Sequence, residues 1–196
     1  MIITVSGAQG QGKSTVLSAL AERGHLIVPN KTARGILADW STTLEQVYSD
    51  KPLAVKFHET ILERHAQMCK QYKESSDVAF IERSYADIFS YALAVLGPFN
   101  TYSAWLNDFY FRCARQQSDF SAVIYLTGRD YIPEEDGVRS TNIHFTEAVD
   151  YSIKKYLKKI SDTTLTHRVF EVSSDSTERR VEQIESIVDV FFGDRK

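Results

Sequence analysis

The 196-residue chain carries only two cysteines, Cys69 and Cys113, far apart in the sequence. Each sits inside a helical pattern, which leaves no disulfide framework to read; both are expected to be reduced core thiols in a cytoplasm. No basic, apolar and small-residue leader precedes the first apolar run. No stretch approaches the ~18 apolar residues of a membrane span, so a soluble, unprocessed chain is expected. Positive charge is not in excess either: 23 Lys and Arg against 26 Asp and Glu give a net charge of -3. That balance argues against nucleic-acid binding by global charge and leaves room only for a local basic patch. Internal repeats, low-complexity tracts and long linkers are missing. With 43% hydrophobic residues the chain can bury one sizeable core, so a single domain over residues 1–196 is expected.

Several chemistries drop out in the same way. The five histidines have no metal-ligand spacing with one another or with the cysteines. His58 and His65 share a helix face and read as surface or packing residues. No Ser-His-Asp arrangement can be argued. Asn30-Lys31-Thr32-Ala33 begins like a guanine-specificity motif, yet it lacks the aspartate two residues after the lysine.

What is present is an alternation of short apolar runs with longer helical patterns, the signature of crossover units around a parallel sheet. Strands are predicted at Ile2–Ser6, Leu26–Pro29, Val78–Glu82, Ala122–Thr127 and Val169–Ser173. Helical stripes follow Lys13 and run through Leu53–Tyr72, Tyr85–Leu96, Trp105–Cys113, Val149–Ile160 and Val181–Phe191. Their aromatic and Met residues read as core packing. Gly128 to Phe145 is irregular and charged, directly beyond the fourth strand; it reads as a lid, with an ordinary solvated loop as the competing reading.

The stretch Gly7-Ala8-Gln9-Gly10-Gln11-Gly12-Lys13-Ser14-Thr15 fits the phosphate-binding loop pattern. Glycines let successive N–H groups turn inward around anionic oxygens, and the helix starting near Lys13 adds its own N–H groups and dipole. Lys13 is expected on the outer phosphates and Ser14 Oγ on a Mg²⁺ ion; ATP is the expected donor.

Val78 to Ile81 is an apolar run that delivers Glu82 and Arg83 together at a strand's carboxyl end, where open parallel sheets bind ligands. Glu82 is the leading base or metal-water ligand, and Arg83 a cation for phosphate or acceptor. Asp87 is either a second carboxylate in the site or a first-turn acid stabilised by the helix dipole. Arg139, within Glu134-Glu135-Asp136-Gly137-Val138-Arg139, is the candidate lid cation, and Arg129 a second cation near the donor. Ser173-Ser174-Asp175 is expected to border the donor base. Lys154, Lys155, Lys158 and Lys159 cluster on one helix, either as a solvated face or as a phosphate-backbone contact.

On the phosphate loop, Glu82-Arg83-Ser84 and Asp136-Gly137-Val138-Arg139, the chain resembles P-loop nucleoside and nucleotide kinases. Glu82-Arg83-Ser84 is similar to the acid-arginine pair of thymidylate and deoxynucleoside kinases, and the Asp-Gly-x-Arg segment to the lid of the ribosylnicotinamide kinase group. The resemblance implies a three-layer α/β fold: a parallel sheet of about five strands, helices on both faces, and a lid. It also implies ATP and Mg²⁺ as cofactors and a nucleoside- or nucleotide-type acceptor. Lys31-Thr32-Ala33-Arg34 matches an acceptor-side segment in which an acid commonly stands where Lys31 stands here; Lys31, Arg34 and Asp87 are the substrate-side residues this implies. Through the phosphate loop, Lys31-Thr32-Ala33-Arg34 and Tyr85-Ala86-Asp87 the chain also resembles phage kinases that phosphorylate 5-hydroxymethyluracil in DNA, whose setting would be the host cytoplasm. A lysine at position 31 suits a phosphate beside the acceptor. The rival reading from another class is a nucleotide-switch or ATPase module without a small-molecule acceptor.

Overall fold

Ile2–Ser6 forms β1 because a run of β-branched and small residues can be covered on both faces, and all five residues are buried. The computed structural model describes residues 1–29, 32–75, 77–128, 142–163 and 168–193. Beside β1 lie β2 (Leu26–Ile27), β3 (Ala79–Glu82), β4 (Ala122–Thr127) and β5 (Arg168–Ser173), in the order β2-β3-β1-β4-β5 with every pair parallel. Register aligns Val5 with Glu82 and Ser6 with Tyr125. The carboxyl ends of β1, β3 and β4 therefore meet at one edge.

Alternate residues of each strand point to opposite faces and so build two cores. Ile3, Val5, Phe80, Ile124 and Leu126 pack with α1 (Lys13–Glu22) and α8 (Thr177–Phe192). Ile2, Ala79, Ile81, Val123 and Tyr125 face the larger layer of α2 (Thr32–Asp39), α3 (Leu44–Ser49), α4 (Lys51–Lys73), α5 (Tyr85–Leu96), α6 (Ser103–Gln116) and α7 (Ile143–Thr163). This is the expected three-layer α/β arrangement with a five-stranded parallel sheet.

Differences from the sequence reading have local causes. β2 stops at Ile27 rather than Pro29: it is an edge strand, its last ladder bond is Val28 N–H to Phe80 O at 2.8 Å, and Pro29 has no N–H to continue it. β3 starts one residue later than expected and β5 one residue earlier. α2 and α3 were not anticipated. Eight and six residues are too few for a periodic stripe, although the Thr43–Gln46 capping box of α3 was a readable start signal. Among the described residues no helix is long and apolar enough to cross a membrane. Both cysteines are buried and free.

Candidate active site

The loop leaving β1 is tied down before it turns. Gly7 takes φ 141, and a Cβ there would stand 2.9 Å from Leu126 O, so both the backbone angle and the close strand demand glycine. Its N–H donates to Asp87 Oδ1 at 3.1 Å. Gly12, at φ 81, is the N-cap of α1 and leaves that helix start without a side-chain cap. The first-turn N–H groups thus stand at the sheet's carboxyl edge with the positive end of the dipole, as an anion site requires.

Lys13 is 5% exposed, its Nζ donating to Gly7 O (2.7 Å) and Ala8 O (2.8 Å). The ammonium is therefore folded over the loop's own carbonyls rather than standing clear of the core. A planar trans peptide whose carbonyl is drawn one way presents its N–H the other way, so these bonds also orient the loop's early N–H groups. Ser14 and Thr15 are exposed on the first turn of α1. Ser14 Oγ donates to Glu82 Oε2 at 3.2 Å, which brings the expected metal-binding hydroxyl and the strand-end carboxylate together.

Arg83 directly follows β3 in a left-handed conformation, φ 75, with its N–H on Val5 O at 2.8 Å. A non-glycine residue there is held by its surroundings, and such outliers concentrate at functional sites. The guanidinium lies over the Tyr91 ring at 4.9 Å. Burial works against its charge, but Tyr91, Glu82 and Asp87 outweigh that and keep its pKa above the ordinary arginine value.

Asp87 is not where a substrate-facing acid would be. It is fully buried, and its carboxylate accepts from Ser6 Oγ (2.5 Å), Ser84 Oγ (2.7 Å), Ser84 N (2.9 Å) and Gly7 N. With Ser84 it forms the capping box of α5. Of the two readings open from sequence, the first-turn helix acid describes this position; it also joins α5 to the root of the phosphate loop. The Ser84-x-x-Asp87 spacing was the available signal.

Three contacts escaped the sequence reading. Gln9 Nε2 donates to Thr146 Oγ1 at 2.8 Å, linking the loop to the first turn of α7. Phe145, beside it, packs on Tyr91 at 6.2 Å, behind Arg83. Arg180 of α8 donates to Gln11 O on the far side of the loop. No motif announces any of these. Arg34 lies exposed in the first turn of α2. Lys31, Arg129, Arg139 and most of the expected lid, residues 129–141, lie outside the described residues.

The lysine cluster runs away from this edge. Lys154 is about 12 Å along α7 from Thr146, pairs with Asp150 at 3.4 Å and covers the Tyr125 ring, while Lys159 covers Tyr110. Those contacts favour the solvated-face reading of the run.

Residues 2–180 match the family model described as an AAA domain, and the chain belongs to that family. No curated protein matches in sequence. Among solved structures, deoxyadenosine kinase from M. mycoides with bound dCTP superposes with TM-score 0.72 at 18% identity, over 97% of this chain and 100% of that one. Thymidylate kinase from Candida albicans gives 0.64 at 16% identity, over 100% and 93%. NadR protein in complex with NR gives 0.69 at 12% identity, over 98% of this chain and 50% of that one. The chain thus has the fold of the P-loop nucleoside and nucleotide kinases.

Proposed function

We propose that the protein is an ATP-dependent kinase that phosphorylates a hydroxyl of a nucleoside, a nucleotide or a hydroxymethylpyrimidine. The observation that carries this is the Ser14 Oγ–Glu82 Oε2 pair at 3.2 Å beside a glycine-rich loop and helix start. A hydroxyl and a carboxylate oxygen fit Mg²⁺, which prefers hard oxygen ligands and keeps much of its water. Ser14 and Glu82 would hold it, and the ion supplies neutralisation of phosphate charge. The chain's own residues do the rest. The loop's N–H groups and Lys13 bind the donor phosphates. Glu82 accepts the acceptor's O–H proton as that oxygen bonds to the γ-phosphorus; the bond from phosphorus to the bridging oxygen breaks, and ADP leaves with the electron pair. Arg83, braced by Tyr91, stands beside the carboxylate as the cation for the acceptor or the transferred group.

The acceptor class draws support from the shared fold and the strand-end Glu82-Arg83 pair. The finer acceptor, 5-hydroxymethyluracil in DNA, rests on the resemblance of the loop and of Lys31-Thr32-Ala33-Arg34.

The test is transfer of label from γ-labelled ATP with Mg²⁺ to a panel of free nucleosides, nucleoside monophosphates, ribosylnicotinamide, ordinary DNA and DNA containing 5-hydroxymethyluracil. Label on an organic hydroxyl is the expected result. Label only in inorganic phosphate would replace this reading with the ATPase one. A DNA acceptor would also show a KM rising steeply with salt, because each neutralised phosphate releases counterions.

A further inference from the structure

Arg180 is fully buried near the N-terminus of α8. A cation there opposes the helix dipole, and an ionised group taken out of water is costly unless its donors are matched. Three matching acceptors are backbone carbonyls: Nε donates to Ser174 O, Nη1 to Gln11 O and Nη2 to Thr127 O. They belong to three separate segments, namely the loop after β5, the phosphate loop and the end of β4. Only a planar fork with divergent N–H groups can serve three such acceptors at once.

We propose that Arg180 is a positioning residue for the nucleotide donor, an inference that rests on the ATP reading above. Its hold on the Gln11 carbonyl fixes the Gln11–Gly12 peptide. Because that peptide is planar and trans, a carbonyl drawn toward α8 turns the Gly12 N–H away from α8, toward the concave side of the loop. Gly12 is the N-cap of α1, so this N–H belongs to the cradle that meets phosphate oxygens. The bonds to Thr127 O and Ser174 O fix the guanidinium that holds the Gln11 carbonyl, so the peptide cannot rotate without losing its bond to Nη1. Lys13 orients the opening of the loop through Gly7 O and Ala8 O, and Arg180 orients its closing turn from outside. Arg179, its neighbour in sequence, is exposed.

The experiment compares Arg180→Lys and Arg180→Met with Ile184→Ala, a fully buried position one turn along α8 that packs in the same core but makes no bond to the loop. ATP affinity is measured by calorimetry, KM and kcat by label transfer, and stability by thermal melting. Both Arg180 variants are expected to weaken ATP binding and raise its KM by about tenfold, the weight of one lost charge-assisted hydrogen bond. Ile184→Ala is expected to melt earlier with ATP affinity within about twofold of wild type. Unchanged ATP affinity in the Arg180 variants, or an equal loss in Ile184→Ala, overturns the proposal. Wild-type protein supplies a measurement that needs no variant: titration with ATP should shift the Gly12 amide resonance strongly. An unmoved Gly12 amide with ATP bound overturns this proposal alone, whereas failure of wild type to bind ATP overturns the donor reading beneath it.

Discussion

His58 and His65 predict a loss of stability in mildly acid solution. Each is 1% exposed in the aromatic core under α4. His58 packs against Tyr48, Phe57 and Phe109, and neither of its ring nitrogens has a hydrogen-bond partner among the described residues. Burial pushes its pKa down to about 3. His65 lies between Tyr85 and Phe120; burial, opposed by Asp87, Asp119 and a hydrogen bond to the Arg83 backbone and aided by the Arg83 charge, brings it to about 4. In the unfolded chain both return to about 6.5. Because the native values are the lower ones, the unfolded state takes up protons first, and stability falls as pH drops below about 6.5. Between pH 7 and pH 5 each histidine removes about 2 kcal/mol, so the pair removes about 4 kcal/mol, a large part of an ordinary domain's 5–15 kcal/mol. The assay is urea unfolding at pH 7, 6 and 5, which lies above the range where carboxylates dominate. His58→Phe keeps an aromatic ring in place and should halve the drop to about 2 kcal/mol. A wild-type stability that is flat from pH 7 to pH 5, or the full drop persisting in His58→Phe, would refute the reasoning.

Lys13→Ala should abolish phosphoryl transfer while the protein still unfolds cooperatively, since the bonds lost to Gly7 O and Ala8 O lie within the loop; turnover and melting measured together check it. Glu82→Gln should lower kcat by roughly a hundredfold or more, because in the proposed reaction Glu82 takes the acceptor's proton only as the new bond forms; its weaker hold on Mg²⁺ should cost ATP affinity less than that. Equal kcat in wild type and variant would reduce Glu82 to a partner of Ser14 and Arg83. Asp87→Asn should lower the melting temperature by about 3–10 °C, as an amide NH₂ turned toward Ser6 Oγ and the Ser84 donors leaves a buried polar group mismatched, at about 1–3 kcal/mol. Its acid role in the reaction would return to consideration only if the melt stayed unchanged and kcat fell.

The sequence by itself determined the layered fold, the glycine-rich phosphate-loop pattern and the acid at the end of β3. Those signals are local: a strand buried on both faces reads as a continuous apolar run, and a phosphate cradle needs its glycines, lysine and hydroxyl at fixed spacing in one loop. The start of α5 was legible for the same reason, Ser84-x-x-Asp87 carrying its cap in four residues, whereas α2 and α3 went unread. Tertiary structure alone decided which of equivalent residues mattered. Arg179 and Arg180 are indistinguishable as letters, and the rotation of α8 against β4 and β5 exposes one and sinks the other beneath the loop. His58 and His65 read equally well as surface or packing residues until α4 met α3, α5 and α6. The pairing of Ser14 with Glu82, 68 residues apart, depends on β3 lying beside β1 with Val5 opposite Glu82. Strand order and helix rotation are set by the burial of whole faces, a sum over many distant residues that no short window of sequence contains.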